Sequence, residues 1–215
     1  MSGLAVLAML AALAPAAPAA PPAYRAQAVE LLKTLVEIDS TEPHGSTAAA
    51  AAIAARLRSA GFADADVSVL APPEHPEKAN LVVRLRGRGL GRPILWTSHL
   101  DVVAADPKDW TTPPFALTDR DGFYYGRGTS DMKGEAAAVA IALIRLKQEG
   151  FVPDRDIIAA FTADEEAAGH VNGVRWLLAT HRPLVDAALA FNRSDAVRYD
   201  GVISGPGTLT NLGPG

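Results

Sequence analysis

The feature that most constrains the fold is a change of period along the chain. The apolar runs at Ile94–Val103 and Ile157–Thr162 are short and rich in residues that favour strands, whereas Met132–Glu149 between them has the length and Ala/Leu/Ile pattern of a buried helix. Gly150 and Pro153 close that helix. Upstream, Tyr24–Val36 carries its apolar residues at helical spacing, and Ser46–Ala60 predicts a second helix with Ser46 as N-cap and Gly61 just past its end. Shorter strand-like runs lie at Ala65–Leu70 and Leu81–Leu85. Strands alternating with helices imply an α/β sandwich on a largely parallel sheet, and in such sheets the ligand sites lie at the C-terminal ends of the strands.

Composition narrows the chemistry. The 215 residues carry 20 Lys+Arg against 24 Asp+Glu, a net charge of −4, with no run of basic residues. A nucleic-acid partner, which needs a positive surface to neutralise phosphates, is therefore not expected. With 49% hydrophobic residues the chain has the material for a core, which excludes a disordered class. Because there is no cysteine, thiolate nucleophiles and Cys-ligated zinc are excluded, and any metal site must be built from histidine and carboxylates.

Residues 1–20, MSGLAVLAMLAALAPAAPAA, read as a signal peptide. The apolar stretch Leu4–Leu13 is too short to span a bilayer, and the small residues around Ala14–Ala19 suit a signal peptidase, although the start lacks the usual basic residue. Export to the periplasm or outside the cell is the expectation, with no membrane span after processing.

Three segments at predicted strand ends carry candidate chemistry. Ser98-His99-Leu100-Asp101 ends the first apolar run. On a strand, residues 99 and 101 share a face, so the Asp101 carboxylate is expected to reach and orient the His99 imidazole; a satisfied buried histidine is the plainer alternative. Gly126–Gly134 is a glycine-rich turn leading into the long helix, where Asp131 serves either as a helix cap or as a metal ligand. It matches neither glycine-rich phosphate-binding pattern, which counts against a phosphoesterase. Asp164-Glu165-Glu166 follows the second apolar run. Three adjacent carboxylates are tolerated by a solvated loop and better by a divalent cation, with one neighbour free to accept a proton.

Taken together, SHLDVV at 98–103, YGRGTSDMKG at 125–134 and DEE at 164–166 resemble, in order and spacing, the signature blocks of the M20 family of zinc metallopeptidases, which includes carboxypeptidases, dipeptidases and aminoacylase-like deacylases. The TEPHGST loop at 41–47, the AGF at 60–62 and the Trp110…Phe115 segment extend the resemblance over roughly residues 25–192. It implies a three-layer sandwich on a mostly parallel mixed sheet and a zinc-dependent hydrolase of amide bonds in short peptides or N-acyl amino acids. It also implies two zinc ions, for which cobalt or manganese could substitute. His99 would bind one metal, Asp131 would bridge both, Glu166 would bind the other, Asp101 would orient His99, and Glu165 would be the general base.

The last acidic ligand departs from the family pattern. If Asn192 is the family's asparagine, Arg193 stands where glutamate is expected, and Asp195, two residues late, is the candidate ligand. Arginine has no acceptor lone pair and cannot take that role. The other histidines, His44, His75, His170 and His181, lie in no matching context. The expected organisation is a leader at 1–20, the first part of a catalytic domain at 24–199 and an irregular tail at 200–215. The lid or dimerisation domain and the second histidine ligand of the family are expected to be missing; the resemblance allows a homodimer for full-length relatives, and the oligomeric state of this chain is left open. The alternative function is accordingly an inactive remnant that at most binds metal.

Overall fold

A computed structural model describes residues 20–166 and 171–192. The leader, the tail, His170, Arg193 and Asp195 lie outside the described residues. In chain order the elements are α1 (Pro22–Glu37), α2 (Thr47–Ser59), β1 (Val67–Leu70), β2 (Asn80–Leu85), β3 (Ile94–His99), β4 (Thr118–Arg120), β5 (Phe123–Tyr125), α3 (Lys133–Gln148), β6 (Ile157–Thr162), α4 (Gly173–Thr180), α5 (Arg182–Val185) and β7 (Leu189–Asn192).

The main sheet has the order β1-β2-β6-β3-β7. β6 and β7 both pair parallel with β3, while β2 pairs antiparallel with β6 and with β1. All of its strands except β2 therefore run the same way. This is the mixed, mostly parallel sheet of the expected α/β fold.

Three layers result. On one face, Leu81, Val83, Leu85, Ala159 and Phe161 pack against the apolar stripes of α1, α2 and α3. On the other, Val82, Ile158 and Ala160 meet Leu177 of α4 and Val185 of α5. Strand residues of successive parity thus go to opposite layers, as the pleat dictates. Alanine is frequent where the first layer meets the sheet (Ala49, Ala50, Ala54, Ala136, Ala137, Ala140, all buried), and its small side chain combines high helix propensity with close approach. α1 begins with Pro22 in its first turn, where the missing N–H costs nothing.

Two local expectations are revised. Ser46 stands at the N-terminal boundary of α2 but makes no side-chain cap; its hydroxyl instead donates to the Ala79 carbonyl at 2.8 Å, tying α2 to the start of β2. β3 ends at His99 rather than continuing to Val103, because the Leu100 N–H makes one more bond to Thr162 O and the Val102 N–H then turns away to Ser40 O. Among the described residues, no helix is long and apolar enough to cross a membrane.

Candidate metal centre

The sheet order decides where the site lies. β3 and β6 are adjacent and parallel, with His99 opposite Thr162, so the loops that follow both strands leave the sheet side by side. One delivers His99 and Asp101, the other Asp164, Glu165 and Glu166. The glycine-rich turn before α3 brings Asp131 to the same place. His99 Nε2 lies 2.9 Å from Asp131 Oδ1 and 4.0 Å from Glu165 Oε2. His99, Glu165 and Glu166 each offer a donor atom within 4.8 Å of the others.

The turn that carries Asp131 requires its glycines. Gly128 has φ +87°, a conformation that side chains rarely adopt, and a Cβ on Gly134 would collide with the Thr129 carbonyl oxygen. The Asp131–Met132 peptide bond is cis. Asp131 is half-exposed, whereas His99 is 4% exposed. The site therefore has a buried nitrogen donor at its floor and carboxylates at its mouth.

Asp101 acts differently from the sequence expectation. Because β3 has already ended, residue 101 does not share a strand face with His99, and the His99 ring pairs through Nδ1 with the Asp101 backbone carbonyl at 3.0 Å. That contact fixes the tautomer and leaves Nε2 toward Asp131. The Asp101 carboxylate sits 3.7 Å from Nδ1; its Oδ2 accepts the Glu166 N–H at 2.8 Å, and its Oδ1 is buried without a hydrogen-bond partner among the described residues. Asp101 thus positions both sides of the site, the histidine through its main chain and Glu166 through its side chain.

The electrostatics reflect crowded negative charge. Burial raises the Glu166 pKa above the usual carboxylate range, and the charge of Asp131 raises it further, with His99 opposing. Burial pulls His99 down, but the charge and backbone bond of Asp101 and the bond to Asp131 outweigh it and hold the imidazole above its ordinary value. A buried histidine with an unpartnered carboxylate oxygen beside it and three further carboxylates in reach is a donor set suited to a divalent cation with nitrogen and oxygen preferences.

Three buried polar residues near the site gave no signal in the sequence. Lys133, fully buried, donates from Nζ to Ile38 O at 2.8 Å, and burial lowers its pKa to about 8 against the opposing charges of Asp39 and Asp101. Lys78 forms an ion pair with Asp164, and Asn80 accepts the Ala163 N–H at 3.0 Å. Among the described residues no second histidine joins the cluster: His44 pairs with Asp39, His75 with Glu77, and His181 packs against Trp176.

The family model for peptidase family M20/M25/M40 matches residues 95–214, more than half of the chain. The chain belongs to this family. The match takes in all three segments that build the site. Among curated relatives, the succinyl-diaminopimelate desuccinylase of Delftia acidovorans is 36% identical over 143 residues, which is 66% of this chain and 36% of the relative. A probable succinyl-diaminopimelate desuccinylase of Staphylococcus epidermidis is 50% identical over 91 residues, 41% of this chain and 22% of the relative. The chain spans between about a fifth and a little over a third of the length of these relatives. Among solved structures, an M20 family metallo-carboxypeptidase from Sulfolobus solfataricus superposes with a TM-score of 0.64 at 19% identity, covering 77% of this chain and 37% of that one. Human carnosine dipeptidase 1 gives 0.61 at 24% identity, covering 76% and 38%. At these identities the structural likeness speaks to the fold.

Proposed function

We propose that this chain carries the metal-binding part of a hydrolase that cleaves amide bonds in short peptides or N-acyl amino acids. The observation that carries the reading is the convergence of His99, Asp131, Glu165 and Glu166 from three separate segments at the C-terminal ends of the adjacent strands β3 and β6. The name of the Delftia acidovorans relative, a succinyl-diaminopimelate desuccinylase, supports the same substrate class.

His99, Asp131 and Glu166 would hold the cation, with Asp195 a further candidate from sequence alone. A bound divalent cation supplies Lewis acidity, lowering the pKa of water and polarising a carbonyl. Zinc is the expected ion, two per site in a family of this kind, and cobalt or manganese suit the same donors. Glu165, with its side chain 51% exposed at the mouth of the site, takes a proton from the attacking water and passes it to the leaving amine. Asp101 holds His99 and the Glu166 main chain in register while this happens. Export through residues 1–20 belongs to this proposal as well.

A second reading, in which the chain binds metal without turnover, is favoured by Arg193, which stands where glutamate is expected if Asn192 is the family's asparagine. Hydrolysis of a panel of dipeptides and N-acyl amino acids with added zinc, for the wild type and Glu165→Gln, separates the two. Turnover that disappears in Glu165→Gln while metal is retained supports the hydrolase. Metal binding without turnover in the wild type supports the second reading, and turnover unaffected by Glu165→Gln removes Glu165 as the base.

A further inference from the structure

Three adjacent carboxylates at 164–166 pose an electrostatic problem that the fold solves by splitting them. Asp164 turns inward, with φ +62°, a conformation that aspartate tolerates better than most residues. Its side chain is 2% exposed, and Oδ1 lies 2.6 Å from Lys78 Nζ, itself 5% exposed. Oδ2 accepts the Val171 N–H at 2.5 Å. Lys78 also reaches the exposed Glu42 at 3.4 Å. Two residues on, buried Asn80 accepts the N–H of Ala163. The segment Lys78–Asn80, at the entry to β2, therefore grips the main chain and side chain of residues 163–164 immediately before the two glutamates of the site.

We propose that Lys78 is a positioning residue for the metal site, acting through Asp164 to fix the turn that presents Glu165 and Glu166. It touches neither the cation nor the substrate. A buried ammonium held by a single buried carboxylate defines where that carboxylate can stand, and here the carboxylate is covalently joined to the base and next to a ligand. Without Lys78, Asp164 is left as an uncompensated buried charge, which swings toward water and carries Glu165 and Glu166 out of place. Outer partners of this kind typically contribute about 10–100-fold to metal affinity.

This inference rests on the proposed metal site, and zinc or cobalt titration of the full chain tests both. The variants are Lys78→Met, Lys78→Arg and the double Lys78→Met/Asp164→Asn, with Arg84→Met as a control that breaks the Arg84–Asp156 pair, formed at 2.8 Å across β2 and the start of β6. The double variant removes both charges, so its core has no unpaired ion to destabilise it, and the introduced amide keeps an acceptor for the Val171 N–H. Lys78→Met is expected to weaken binding by about tenfold or more, Lys78→Arg to recover most of the loss, and the double variant to melt near the wild type yet bind as weakly as Lys78→Met. Arg84→Met is expected to bind as the wild type does. If Lys78→Met does not fold, the double variant decides alone. Wild-type affinity in the folded double variant, or an equal loss in Arg84→Met, overturns the positioning role. Absence of binding by the wild type overturns the metal-site reading and this role with it.

Discussion

His99 and Thr162 stand opposite each other at the ends of two adjacent parallel strands, so residues 63 positions apart in sequence share one register position. From that pairing follows the meeting of the two loops that supply the histidine and the glutamates. A register slip by one residue would turn His99 to the other face of the sheet. The pairing is held by a full ladder, from Ile94 opposite Ile157 to His99 opposite Thr162.

Metal affinity is expected to fall as the solution is acidified, from a higher pH than isolated side chains would give. His99 is held above its ordinary value of 6.5 and Glu166 above 4.5, and both must lose their protons to act as ligands. Binding thus competes with protons below the raised His99 value and, further down, below the raised Glu166 value. Calorimetric titration with zinc in two buffers of different ionisation enthalpy, at about pH 6.5, the reference value for histidine, should show proton release. Binding with no proton release there would contradict these shifts.

Lys133 makes the metal-free protein more stable in mild alkali. Its pKa is about 8 when folded and 10.5 when unfolded, so between those values the unfolded chain binds more protons and stability rises with pH. Urea unfolding at about pH 8 and about pH 9.5 should show the wild type gaining about 1.5 kcal/mol relative to Lys133→Met, somewhat less than about 1.36 kcal/mol per unit over that span because the folded-state lysine is still half protonated at about pH 8. An unchanged difference between the two proteins would mean that Lys133 titrates at its normal value.

Asn80→Ala should destabilise the fold by about 1–3 kcal/mol, because the fully buried side chain is lost and the Ala163 N–H loses its acceptor. Chemical denaturation measures this directly. A loss below about 0.5 kcal/mol, the lower bound for a net hydrogen bond, would mean that another acceptor takes over.

Gly134→Ala should disrupt the turn holding Asp131, since the added methyl meets the Thr129 carbonyl oxygen, a backbone atom that cannot move aside cheaply. Weaker metal binding together with a lowered melting temperature is the expected pair of results. A variant with wild-type binding would show that the turn relaxes without moving Asp131.

Much of the fold is legible because its strands announce themselves. Ile157–Thr162 is bounded by Asp156 and by the acidic triplet, and the observed β6 has the same limits. β3 reads longer in sequence than it is in the structure, since Leu100, Val102 and Val103 continue the apolar pattern; only the Ser40 carbonyl, distant in sequence, draws the chain off the sheet. The β4–β5 hairpin turns at Asp121-Gly122, both at positive φ, a turn signal present in the sequence but overshadowed by the neighbouring glycine-rich segment. The ligand types are legible from motif order. Their supports are not: Lys78 and Lys133 look like surface lysines, and only the packed structure shows each buried against an oxygen.

The most direct test of the central claim is the metal content of the purified chain after equilibration with zinc and removal of excess, beside His99→Ala and Asp131→Ala. The expected result is at least one tightly held zinc per wild-type chain and its loss in both variants. A wild type that retains no zinc, or variants that retain as much as the wild type, would contradict a metal site built on His99 and Asp131.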